Sequence, residues 1–230
     1  VELVLDLMDA GLACCIIGNH ELNLLRGDND ERDRPGTGWF SGRSDGFRLH
    51  EGDRLTDFRS AVATAQQRAR FQERLDVLPL AAEREDLRVV HACWDLRGIK
   101  KLREAHSLGI RSVTTAYEHF ARLMREDTEY MDLVRRARDE IAPYEAQLRN
   151  QSVPPPPMEE VGDWLLAEMR EQNDNPVKVL TSGSEQVART EPLFKEQWRL
   201  LERRRWWNSY GELPVIVGHY WRSITLQRRG

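Results

Sequence analysis

Apolar positions alternate between two rhythms along this chain. Val1, Val4, Leu5 and Met8, with Leu3 and Leu7 widening the stripe, repeat at helical spacing, and Gly11 supplies a stop. Next comes a continuous apolar run, Leu12-Ala13-Cys14-Cys15-Ile16-Ile17, of strand length and bounded by polar residues. A helix followed at once by such a strand reads as half of an α/β unit. From Gly27 to Asp53 the chain turns polar, with glycine at 27, 36, 38, 42, 46 and 52, and reads as a long functional loop pinned by Trp39 and Phe40. Helical spacing returns from Thr56 to Leu78, ended by Pro79.

Leu87 to Cys93 reads as the second strand. Three helical stretches follow, Asp95 to His106, Val113 to Glu126 and Glu129 to Leu148, the last charged and largely exposed. Val153 to Pro157 is a stiff connector. Met158 to Glu171 is helical, Val177 to Leu180 a short strand, and Leu213 to His219 the third strong strand. The aromatic and basic stretch Trp198 to Tyr210, with Arg203 to Trp207 in a row, suits a helix with a packed aromatic face; stacking on a nucleotide base is the other reading.

Length and charge narrow the function. The 230 residues, at 26.8 kDa, suffice for one large domain or two small ones. A net charge of −4 leaves no basic excess for a nucleic acid polymer, whereas a small phosphorylated ligand stays open if metal cations supply local charge. No apolar run reaches the roughly 20 residues of a membrane span, and the start has no signal-peptide pattern. Cys14, Cys15 and Cys93, odd in number and without metal-type spacing, point to reduced thiols and a cytoplasmic setting. Without an initiating methionine, the sequence is expected to begin inside a longer protein.

The candidate chemistry sits where apolar runs end. Three of them present histidine at their C-terminal ends: Asn19-His20, His91 and His219. In open α/β sheets ligands gather at the carboxyl ends of strands, so these groups are expected to converge. Asn19, His91 and His219 offer one oxygen and two nitrogens to a divalent transition metal, leaving His20 to give or take a proton. Taken singly, a strand-end histidine is more often a satisfied polar residue, and His50, His106 and His119 are read that way. Arg26 and Arg222 lie a few residues past these turns and are candidates for holding substrate phosphate, or else surface ion-pair partners. Asp95 reads first as a helix cap, the other reading being an acceptor that orients a ligand histidine, and Cys93 reads as a small core residue.

The ordered segments Gly18-Asn19-His20-Glu21, Val90-His91-Ala92 and Val217-Gly218-His219-Tyr220 resemble the calcineurin-like metallophosphoesterases, in the branch of phosphoprotein phosphatases and diadenosine tetraphosphate hydrolases. The resemblance implies a four-layer α/β fold, two mixed sheets packed as a sandwich and flanked by helices. It implies a single domain over 1–230 with a mostly helical insertion at about 94–175. It also implies two metal ions (manganese, iron or zinc) bridging a hydroxide that attacks phosphorus. Asn19, His91 and His219 would bind the second metal and His20 would protonate the leaving alkoxide. The substrate would be a phosphoprotein or a phosphorylated small molecule such as a nucleoside polyphosphate.

The family's Asp-x-His and Gly-Asp-x-x-Asp-Arg motifs, which hold the first metal, are missing. No Asp-x-His occurs, and Gly27-Asp28-Asn29-Asp30-Glu31-Arg32 lies on the wrong side of Gly-Asn-His. Asp28, Asp30 and Asp33 read as a solvated cluster. The expectation is therefore a chain lacking the opening strands, with one metal half-site. The alternative is a non-catalytic binding protein that keeps a degenerate half-site.

Overall fold

The computed structural model describes residues 1–27, 40, 46–51, 54–59, 61–189 and 191–220. Helix α1 is Glu2–Asp9, and Gly11 ends it at φ 70°, a left-handed conformation that costs glycine little. Leu5 is buried, while Asp6 pairs with Arg70 and Asp9 with Arg74. The apolar residues Leu3, Val4 and Leu7 face solvent.

The run at 12–17 corrects the strand expectation. It has no regular structure and joins no ladder among the described residues; the Ile17 N–H donates to the Pro79 carbonyl at 3.0 Å, and the Ile17 side chain is fully buried. Only Ile17 of the run is buried; Leu12 and Cys14 are exposed, so the apolar composition marks neither a buried strand nor a paired one. Helix α2, Asn19–Arg26, starts directly after it from the N-cap Gly18 and ends at Gly27, φ 66°.

The hairpin of β1 (Gly46–Glu51) and β2 (Arg54–Arg59) pairs antiparallel, with Phe47 opposite Phe58. It replaces the start of the helix expected from Thr56. Asp28, Asp30, Asp33 and Trp39 fall outside the described residues; Phe40 is buried in the first core cluster. Helix α3 runs Ala65–Asp76 from a capping box in which Thr64 accepts the Gln67 N–H at 3.2 Å and the Gln67 side chain accepts the Thr64 N–H at 2.8 Å.

Strands β3 (Ala81–Glu83) and β4 (Arg88–Val90) lead into the helices α4 (Leu96–Ser107), α5 (Val113–Glu126) and α6 (Thr128–Ile141). A 3-10 turn at Ala142–Tyr144 carries Pro143 and precedes the single-turn α7, Glu145–Leu148. Helix α8, Gly162–Asn173, packs along α6. Helices expected from the spacing at 95–106, 113–126, 129–148 and 158–171 thus appear as α4 to α8, with the third broken at Ala142–Tyr144 and the fourth starting at Gly162.

Residues Pro176–Ser182 form helix α9 where a strand was expected. Asn175 caps it by accepting the Val177 N–H at 3.0 Å, and Pro176 takes the first turn. With Val177, Val179 and Leu180 all buried, the segment has no polar face to betray its period.

Next come β5 (Glu185–Val187), β6 (Leu193–Lys195), β7 (Gln197–Arg199) and β8 (Leu201–Arg203), then a 3-10 turn at Trp206–Asn208 and β9 (Val215–Val217). The helix expected across Arg203 to Trp207 is thus a strand end and a short turn. Trp206 is buried there, its indole N–H donating to the Ala92 carbonyl at 2.9 Å.

The described strands make a three-stranded sheet, β3-β4-β9, and three two-stranded antiparallel pairs. The architecture is mixed α/β. In the larger sheet β4 is central, antiparallel to β3 and parallel to β9, with Arg88 opposite Val215, Val89 opposite Ile216 and Val90 opposite Val217. One core gathers Leu5, Ile17, Leu22, Phe71, Tyr117 and Val177; a second gathers Val90, Trp94, Ile99, Leu180 and Trp206 around the end of β4. Among the described residues no helix is long and apolar enough to cross a membrane.

Candidate functional site

Parallel pairing of β4 with β9 decides where the histidines go. Because Val90 lies opposite Val217, the residues that follow leave the sheet at the same edge. The backbone continues the ladder by one bond, Gly218 N–H to the His91 carbonyl at 3.0 Å. His219 then turns at φ 43°, a left-handed conformation that costs a non-glycine residue roughly 1–3 kcal/mol and recurs at functional sites. The two imidazoles meet edge to face, ring centres 5.4 Å apart.

Helix α2 delivers the third group. Asn19 is its first residue, and the side-chain oxygen Oδ1 lies 2.9 Å from His91 Nε2 and 3.2 Å from His219 Nδ1. One amide oxygen and two imidazole nitrogens therefore converge from three separate stretches of chain. The approach is close because residue 18 is glycine. A Cβ there would fall 2.8 Å from His91 Cε1, 2.9 Å from His91 Nδ1 and 2.8 Å from Glu21 Oε2. In the sequence Gly18 stands only as the first residue of Gly18-Asn19-His20-Glu21; its closeness to His91 across the fold had no signal there.

The electrostatics favour neutral imidazoles. Burial pushes His219 down to about 4, reinforced by the neighbouring His91, Arg203 and His20. His91 is also lowered, first by burial and further by His20, while the Glu21 carboxylate opposes the shift. His20 itself is exposed on the first turn of α2. It acts electrostatically on both half-buried histidines, which puts it beside the site without making it part of the converging trio.

The other candidates lie elsewhere. Arg26 occupies the last turn of α2, about 10 Å along the helix from Asn19 at 1.5 Å per residue, with its guanidinium 4.0 Å over the Tyr117 ring. Arg222 lies outside the described residues. Among the described residues Arg203 does act on the site; it donates to the Gly183 carbonyl and pairs with Glu185, both at 3.0 Å. Sequence reasoning had placed it only in the aromatic-basic cluster. Asp95 caps α4, accepting the Arg97 and Gly98 N–H groups at 3.2 and 3.0 Å. Cys93 is buried and its thiol is pushed up to about 12, chiefly by burial, so it stays protonated and non-nucleophilic.

In this arrangement Asn19 Oδ1 accepts an N–H from each imidazole; in the other tautomer the same two nitrogens would present lone pairs and form, with the amide oxygen, a donor set that suits a borderline divalent ion. It is a partial set. Among the described residues His, Cys, Asp and Glu side chains nowhere gather in threes, and the site offers two imidazoles and one amide. Compared with known protein families, curated proteins and solved structures, the chain matches none.

Proposed function

We propose that this chain carries half of a two-metal phosphoesterase site, with Asn19, His91 and His219 as ligands of one divalent ion and His20 as the proton donor to the leaving alkoxide. The observation that carries the reading is the meeting of Asn19 Oδ1 with one nitrogen from each imidazole, within 3.2 Å. Burial keeps both imidazoles neutral, as a cation ligand must be. When bound, such ions polarise phosphoryl oxygens and lower the pKa of water.

The chain's own residues frame that chemistry. Gly18 admits His91 to the amide oxygen, and the N-terminus of α2 turns the positive end of its dipole toward an anion. Arg203 adds fixed positive charge beside His219. Exposed His20 is free to exchange a proton with the leaving group.

The remaining ligands would come from a segment preceding Val1 that carries Asp-x-His and Gly-Asp-x-x-Asp-Arg. Two exposed apolar surfaces support such a neighbour: the outward side of α1, with Leu3 71% exposed, and β9, with Ile216 55% exposed. With those strands in place the sheets would complete a four-layer sandwich. The substrate class is a phosphomonoester or phosphoanhydride, on a protein or a small molecule.

Manganese-dependent hydrolysis of p-nitrophenyl phosphate by a form of the protein that includes those motifs tests the proposal. His20→Ala should lower kcat by about 10²–10⁴ while manganese affinity is kept, the range typical of a lost proton donor. Unchanged turnover would remove His20 from that role. The 230-residue chain alone should bind manganese weakly and turn over little. A second reading, a binding protein with a degenerate half-site, is favoured by the partial ligand set among the described residues. It would prevail if the sequence preceding Val1 lacked both motifs.

A further inference from the structure

The imidazole pair is one end of a longer series of rings. His219 meets Tyr220 edge-on at 5.2 Å and 88°, and Tyr220 meets Trp207 at 4.9 Å and 71°. Trp207 meets Trp206 at 6.1 Å, and Trp206 meets Tyr210 at 5.4 Å. Trp206, Trp207, Tyr210 and Tyr220 line a cleft of about 650 Å³, together with Val217 and Gly218. Gly218 belongs to both places: it lines the cleft, and its N–H donates to the His91 carbonyl. The cleft therefore opens beside the converging Asn19, His91 and His219.

Its chemistry is that of a ring binder. Four aromatic side chains and Leu213, Pro214, Val215 and Val217 supply most of the lining. Glu212 is the charged residue among the described lining, and it is already paired with the Arg88 guanidinium. Such walls reward a flat apolar group, which gains stacking and edge contacts. They offer little to an extended peptide, whose amides would lose water without finding partners. The volume falls within the range of small-molecule sites.

We infer that this cleft is the subsite for a planar aromatic group joined to the phosphate, so that the substrate is an aryl or nucleoside phosphate and not a phosphoprotein. The inference rests on the imidazole pair being the phosphate end. It follows the line of contacts: phosphate at Asn19, His91 and His219, then the ester or anhydride link past Gly218, then the ring against Trp207.

Binding of adenosine monophosphate, phenyl phosphate, O-phosphoserine and adenosine, each with manganese present, tests it by tryptophan emission and ligand-observed NMR. Adenosine monophosphate or phenyl phosphate should bind at least tenfold tighter than O-phosphoserine, and the tighter of the two names the ring's source. Trp207→Leu should shrink that preference to roughly threefold or less, since one stacking contact accounts for about 5- to 150-fold. Manganese affinity and the far-UV circular dichroism should be unchanged. Equal affinity for O-phosphoserine and the ring-bearing phosphates in the unaltered protein would overturn the inference without any variant. If adenosine binds as tightly as its monophosphate and Trp207→Leu abolishes both, the ring subsite stands and the phosphate reading of the imidazole pair fails.

Discussion

One methyl group at position 18 would probe how tightly the imidazole pocket is built. A Cβ would stand 2.8 Å from His91 Cε1, and neither the imidazole nor the neighbouring Glu21 carboxylate can remain in place. Gly18→Ala should cost about 1–3 kcal/mol in urea unfolding, the usual range for overpacking. It should also weaken manganese binding; a variant with unaltered stability and affinity would show that His91 has room to move. The histidines make a second prediction through pH. An unfolded histidine takes up its proton near 6.5, whereas folded His219 does so only at about 4. Between those values the unfolded chain holds more protons at this position, so the stability is complete above about pH 6.5 and is lost as pH falls toward 4. The thermal midpoint should therefore drop more steeply between pH 7 and 4.5 in the metal-free protein than in His219→Gln. Parallel pH profiles would contradict the burial of that imidazole.

At the scale of elements, Thr64 sets where α3 begins. Thr64→Ala removes one side of its capping box and should cost about 1 kcal/mol by urea unfolding, with the strand pair β1-β2 before it unaffected. A shift below a few tenths would mean that packing of Phe71 and Leu75 alone fixes that boundary. The same box was readable in the sequence as Thr64 followed by Gln67, yet the apolar spacing of Phe58 and Val62 drew the expected helix back to Thr56. Amphipathic α5 was legible to the residue because Ser112 caps it and its buried side chains Val113, Ala116, Tyr117 and Phe120 keep a helical period. Two apolar runs were not. The buried run in α9 gives the same signal as a strand, and the run at 12–17 keeps Ile17 buried but leaves Leu12 and Cys14 exposed and, among the described residues, unpaired with any strand. The short strands from 185 to 203 carry three residues each, too few for a period to emerge. For the candidate site, the sequence placed Asn19, His91 and His219 at the ends of apolar runs, and that was enough to expect them together. The close fit at Gly18, the charge of Arg203 and the aromatic series through Tyr220 and Trp207 arise only from tertiary contact.

At the scale of the whole molecule, α1 is turned the unusual way round. Its acidic residues pair with Arg70 and Arg74, while Leu3 and Leu7 stand 71% and 37% exposed. Replacing both with glutamate should leave the thermal midpoint of this chain nearly unchanged, because exposed positions seldom shift stability by more than about 0.5 kcal/mol. The same pair should reduce binding of the apolar dye ANS. A sharp loss of stability would instead show that this face is already covered.

The parallel bond between β4 and β9 has a further consequence. Asn19 and His219 are 200 positions apart in sequence, and they meet because a three-residue edge strand, with Val217 38% exposed, holds its place beside β4. Such an edge opens locally at far lower free energy than the molecule unfolds. Each opening would carry His219 away from Asn19 and His91 while the helices stay intact. Amide exchange at Val217 and Gly218 should thus be much faster than in the middle of α5, and a bound divalent ion should slow it. On the proposed reading Asn19, His91 and His219 would behave as a clasp on the sheet edge, closed by a bound cation.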